Sequence, residues 1–173
     1  MRTLTLTLTV ALGLTSALQA WDSLSFQGPD VSGKWFITAL VESNGLVGDR
    51  VFPIVFSVLS DTHVWASTTH RNRGYCYDVD VVLEKTRASG TYTALRGKTH
   101  VDVEELPAKD HLMFYFEGPF EGERFRAAKL LSRNPGVNPE ALQAFKKFAQ
   151  RKGFSPEDVF TPEQTESCEP ESD

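Results

Sequence analysis

Tyr77-Asp78-Val79-Asp80-Val81-Val82-Leu83 puts Val79, Val81 and Leu83 on one face of an extended strand and Asp78 and Asp80 on the other. A strand with one apolar and one wetted face belongs to an antiparallel sheet. The flanking sequence repeats the theme. Short apolar segments are broken by turn chemistry at Ser60-Asp61, Arg71-Asn72-Arg73-Gly74, Ala88-Ser89-Gly90, Arg96-Gly97-Lys98, Pro107-Ala108-Lys109-Asp110 and Glu117 to Gly122. The spacing predicts eight strands near 34–42, 51–59, 62–70, 75–85, 91–96, 99–106, 111–117 and 123–132. The chain is therefore all-β in its main body, and the spacing leaves both a sandwich and a barrel open.

Strand 111–117 breaks the alternation. Leu112, Phe114 and Phe116 lie on one face and Met113 and Tyr115 on the other, so something must cover its outside. A helix is available downstream. Asn138-Pro139-Glu140 supplies a cap, a proline for the first turn and an acid at the positive end of the dipole. Leu142, Phe145, Phe148 and Ala149 then form one stripe, and Gly153 ends the helix. Lys146, Lys147, Arg151 and Lys152 sit toward its carboxyl end, where cations complement the dipole.

Residues 1–20 begin Met-Arg, continue through an apolar, threonine-rich stretch from Leu4 to Leu18 and end in Gln19-Ala20, the layout of a cleaved export signal rather than a membrane span. Residues 21–173 then form one domain, with no linker or repeat inside it. The whole chain carries a net charge of −5, and losing Arg2 with the signal makes it −6. An acidic surface with no basic stripe excludes a nucleic-acid partner, and nothing after the signal inserts into a membrane. Export also places Cys76 and Cys168 where disulfides persist, and two cysteines allow one intramolecular pairing. The pairing would tie an acidic tail, 163–173, to the body.

Gly33-Lys34-Trp35 at the first strand, Lys109-Asp110-His111 with Phe114-Tyr115 at the seventh, and Ser132-Arg133-Asn134-Pro135 after the eighth resemble, in order and spacing, the three signature regions of the lipocalin family. Val31-Ser32-Gly33-Lys34-Trp35, Val82-Leu83-Glu84-Lys85-Thr86, Gly90-Thr91-Tyr92-Thr93-Ala94 and Glu166-Ser167-Cys168 are similar to the branch that holds tear lipocalin, the odorant-binding lipocalins and the dog allergen lipocalin. The resemblance spans nearly the whole chain. It implies an eight-stranded up-and-down antiparallel β-barrel with the carboxyl-terminal helix packed outside. It also implies structural roles: Gly33, Trp35 and Arg133 close the barrel floor, and Cys76 and Cys168 match the family's staple.

An eight-stranded barrel can enclose one small ligand, and alternate residues of each strand face its interior. Counting from Trp35, the first strand sends Ile37, Ala39 and Val41 inward and the second Ile54, Phe56 and Val58. The third sends Val64, Ala66 and Thr68, and the fourth Val79, Val81 and Leu83. The seventh and eighth contribute Phe114 and Phe116, then Phe125, Ala127 and Lys129. Ile37, Ala39, Ile54, Phe56, Val79, Val81, Phe114, Phe116 and Lys129 are thus the expected ligand contacts. Lys129 stands apart, because an ammonium inside an apolar barrel is costly without a partner. That partner is either a ligand's polar head or a protein carboxylate such as Glu84 or Glu104.

Catalytic signatures are missing: no Gly-x-Ser-x-Gly, Cys-x-x-Cys or His-Glu-x-x-His occurs, and His63, His70, His100 and His111 are scattered. No enzyme activity, cofactor or metal is expected. The sequence therefore reads as a secreted, extracellular carrier of small hydrophobic molecules such as lipids, fatty acids, odorants or pheromones. The alternative is a secreted interaction protein, a protease inhibitor or signal acting through its loops. A cell-surface receptor and a monomer or weak dimer complete the expected partners.

Overall fold

The computed structural model describes residues 28–44, 50–72, 74–120 and 122–168. The expected signal at 1–20 and the last residues of the tail lie outside these. The strands in chain order are β1 (Gly33–Glu42), β2 (Arg50–Val51), β3 (Ile54–Val58), β4 (His63–Asn72), β5 (Tyr75–Lys85) and β6 (Thr91–Ala94). They continue as β7 (Thr99–Glu105), β8 (His111–Phe120) and β9 (Glu123–Ser132), followed by helix α1 (Pro139–Arg151) and β10 (Glu163–Gln164). Strands β1, β3, β4, β5, β6, β7, β8 and β9 hydrogen-bond in that order and close into a barrel. Every neighbouring pair is antiparallel. Of the two architectures the spacing left open, the barrel forms.

The eight predicted strands are found with small shifts. One is substantial: the turn expected over Glu117 to Gly122 is instead a continuation of the β8/β9 ladder, with Glu117 opposite Arg126 and Phe120 opposite Glu123. A tight turn at Gly122, φ +88°, follows. The resulting hairpin matches the long β4–β5 hairpin in the length of its ladder.

Helix α1 starts as its sequence prescribes, with the Asn138 side chain accepting a hydrogen bond from the Ala141 amide at 3.0 Å. Its stripe of Ala141, Phe145, Phe148 and Ala149 is fully buried against the outer faces of β1, β8 and β9, where it meets Met113, Tyr115, Ala128 and Leu130. This covers strand 111–117 as its two-sided apolar pattern requires. The basic carboxyl end of the helix also docks: Arg151 reaches Glu104 at 2.8 Å and Lys152 reaches Asp102 at 2.5 Å, both on β7.

The barrel wall splits between β1 and β3, which pair only over Gly33–Trp35. The carboxyl-terminal segment fills that seam. Phe160 exchanges backbone hydrogen bonds with Leu40, the Gln164 side chain donates to the Ile37 carbonyl at 2.7 Å, and β10 pairs in parallel with β2. Lys34–Glu166 and Arg50–Glu163 ion pairs and the Cys76–Cys168 disulfide, whose Cα atoms are 6.2 Å apart, complete the attachment.

Candidate functional site

The barrel interior is fully buried at one end and less shielded at the other. At the buried end Trp35, 3% exposed, donates its ring N–H to the Val31 carbonyl at 2.8 Å. The Arg133 guanidinium covers the ring at 3.6 Å and donates to the Ser32 and Lys34 carbonyls. Gly33, with φ +87°, admits that guanidinium: a Cβ there would meet Arg133 Nη1 at 2.9 Å. The three residues thus form one plug, with Val31, Leu112 and Leu131 buried against it.

Above the plug, cross-strand register fixes which side chains face inward. Val79, Val81 and Leu83 lie opposite Thr68, Ala66 and Val64, and Phe114 and Phe116 lie opposite Lys129 and Ala127. Ile54 and Phe56 share the same core with Ile37, and the Phe56 and Phe114 rings stack 5.2 Å apart. Burial falls along the axis. Residues near the plug are shielded, whereas Ala66, Val79, Val81, Phe116 and Lys129 face inward yet keep solvent-accessible surface. These less shielded side chains mark the end of the interior away from the plug.

One assignment is corrected. Ala39 and Val41 do not face the interior: they pack on the outside against α1, with Ala128 and Leu130. The cause is a break in the ladder between Ile37 and Ala39. Ile37 lies opposite Leu131 and Ala39 opposite Leu130, so Thr38 is an extra residue that reverses the alternation. Leu40 turns inward instead, opposite Lys129, and Glu42 follows it, opposite Ala127. Val58, also expected inside, sits at the end of β3 with 57% exposure. The sequence reading assigned no inward residues to β6 and β7, which contribute Tyr92, Ala94, Val101 and Val103. Their alternation, buried at Tyr92, Ala94, Val101 and Val103, is present in the sequence and could have supplied them.

Lys129 faces the interior as expected, with its ammonium 5.2 Å from the centre of the Phe116 ring. Glu84 and Glu104 are not its partners, since Glu104 is engaged by Arg151 outside the barrel and Glu84 alternates with Leu83 onto the outer face. The carboxylate that acts on it is Glu42. Burial pushes the Lys129 amine below the ordinary lysine value, and the charge of Glu42 pulls in the opposite direction. The lowered value means that lost hydration outweighs the attraction. The protonated amine therefore opposes folding below its folded-state pKa, and the opposition fades as pH rises from that value toward 10.5. Lys129→Met is expected to melt above the wild type at pH 7, with the gap narrowing as pH approaches 10.5. A gap that widens with pH in thermal melts would contradict this origin.

The histidines occupy unrelated places. His63 bonds to Ser60 and Thr62 in the β3–β4 turn, His70 meets Tyr77 edge-on, His100 pairs with Asp102 at 2.7 Å, and His111 contacts the Lys109 carbonyl. Among the described residues no cluster of His, Cys, Asp or Glu could hold a metal ion, and no helix is long and apolar enough to cross a membrane.

A closed eight-stranded barrel, plugged at one end and apolar within, with one helix outside, defines a class of binding protein. The family model of the Lipocalin / cytosolic fatty-acid binding protein family matches residues 32–166. The chain belongs to the lipocalin family. It is 41% identical to vomeronasal secretory protein 1 of Mus musculus over 96% of this chain and 93% of that one. It is 38% identical to Lipocalin-1 of Sus scrofa, over 95% of this chain and 96% of that one, and 34% identical to odorant-binding protein 2a of Mus musculus, over 97% and 98%. Among solved structures, the siderocalin Ex-FABP superposes with a TM-score of 0.70 at 21% identity, covering 81% of this chain and 98% of that one, a likeness of fold.

Proposed function

We propose that the protein is a secreted carrier that holds one small hydrophobic molecule in the barrel, exported by way of residues 1–20. The supporting observation is the upper interior, where Val79, Val81, Ala66 and Phe116 face inward with surface still accessible above a sealed floor. Burying ligand surface there gains about 25 cal/mol per Å², enough after association costs for micromolar binding of a lipid-sized chain. Ile37, Ile54, Phe56, Phe114, Val79, Val81 and Phe116 form the apolar wall, and Lys129 is its polar feature. Ala39 is left out, because it faces the helix. Relatives named for vomeronasal secretion and odorant binding agree with this reading.

The test is titration with a neutral environment-sensitive dye, N-phenyl-1-naphthylamine, and displacement by apolar competitors. Val81→Trp, which fills the interior, is expected to weaken binding at least about tenfold. Val82→Trp, one residue along and on the outer face, controls for the added ring and should stay within about twofold. Equal losses in both variants, or no saturable binding by folded protein, would remove the carrier reading.

One observation favours the second reading, an interaction protein working through its exterior. Trp65 and Val82 oppose each other on the outer faces of β4 and β5 while 40% and 46% exposed. A folded protein that binds no dye would shift the assignment there.

A further inference from the structure

The extra residue at Thr38 does more than redirect Ala39. It carries a carboxylate into the interior, because Glu42, which would otherwise alternate outward, ends on the same face as Leu40. Leu40 lies opposite Lys129 and Glu42 opposite Ala127, so Glu42 and Lys129 are diagonal neighbours on the inner face of adjacent strands. Such neighbours stand about 7–8 Å apart at the backbone, within reach of two long side chains. Glu42 Oε2 has no contact with solvent. The surroundings are apolar: Leu40, Phe114 and Phe116 face the same space, and the Phe116 ring takes up one side of the ammonium.

Resting on the carrier reading, we propose that Glu42 is a specificity-determining residue of the barrel, and that its carboxylate, facing Lys129 diagonally from the adjacent strand, selects amphiphiles with a neutral polar head, such as alcohols and aldehydes, over those with a carboxylate. An uncompensated lysine would attract anionic heads. Here the nearby Glu42 already answers part of its charge. A ligand carboxylate brought beside Lys129 places a second negative charge near Glu42 in a medium that screens poorly, and that repulsion offsets what the ammonium offers. A hydroxyl or carbonyl meets no such penalty, and can accept from the ammonium or, for a hydroxyl, donate to the carboxylate.

The experiment compares 1-decanol, decanal and decanoic acid as competitors against N-phenyl-1-naphthylamine at pH 7 and fixed ionic strength. The wild type should bind the alcohol and the aldehyde at least roughly tenfold more tightly than the acid. In Glu42→Gln, which keeps the size of the side chain and removes its charge, the acid-to-alcohol affinity ratio should rise at least roughly tenfold. In Lys129→Met, where the carboxylate stands alone, the ratio should fall below that of the wild type. Acid binding in the wild type as tight as alcohol binding overturns the proposal, as does an unchanged ratio in Glu42→Gln. Failure of the dye itself to bind folded protein is a different result, and it removes the carrier reading with everything resting on it.

Discussion

Trp35→Ala is expected to lower the unfolding free energy by about 3–5 kcal/mol, against a total of about 5–15 kcal/mol for a domain of this kind. The size follows from what the ring holds. It is 3% exposed, its N–H bonds Val31, and its face carries the Arg133 guanidinium at 3.6 Å. Truncation leaves a void at the floor, strands the Val31 carbonyl and uncovers a cation. Arg133 would still bond the Ser32 and Lys34 carbonyls, so Arg133→Ala should cost less than Trp35→Ala. Urea unfolding followed by tyrosine fluorescence and circular dichroism reads the difference. A loss below about 1 kcal/mol would show that Val31, Leu112 and Leu131 seal the floor without the ring.

The second large effect belongs to the disulfide. Cys76 and Cys168 are separated by 92 positions, and closing a loop of that length restricts the unfolded chain by about 4–5 kcal/mol in the chain-entropy model. The Cys76→Ser, Cys168→Ser double variant should therefore melt about 10–15 °C lower. The effect reaches beyond entropy, because the tethered segment also closes the seam between β1 and β3. Once untethered, its exposed Lys34–Glu166 and Arg50–Glu163 pairs contribute little, since each exposed pair is worth about 0–1 kcal/mol. Phe160, Gln164 and the short β10–β2 pairing would be left to hold the strap. Limited proteolysis should then cut near residues 161–168 before the barrel, and a cleavage pattern identical to that of the oxidised protein would contradict the role of the bond.

How far the sequence could be read depended on what each strand faces. In β5 one side meets water, so Asp78 and Asp80 report the register and the inward set Val79, Val81 and Leu83 follows directly. In β1 the outer side meets α1, so Phe36 to Val41 is apolar on both faces and periodicity carries no information about a residue inserted among them. The register break at Thr38 was invisible for that reason, and Ala39 and Val41 were misplaced with it. The helix was legible because capping is local: Asn138, Pro139 and Glu140 act within one turn. Lys129 was placed by alternation from its own strand, but its partner came from β1 and needed the long-range register.

The seam-filling segment also bears on the order in which the molecule can be made. Strand β1 is among the first parts of the domain to be synthesised, yet beyond its short pairing with β3 over Gly33–Trp35 its partners are β9, some ninety residues later, and Phe160, which bonds Leu40 across 120 positions. No earlier segment can satisfy the outward backbone groups of Leu40, and the Cys76 thiol has to wait for Cys168. Until β9 is made the sheet cannot close on β1, and until residues 160–168 are made the seam beside Leu40 stays unfilled. Completion of the fold waits on residues 160–168, and a chain in which they have not yet docked presents an unfilled seam beside the same concave hydrophobic surface that the finished barrel encloses.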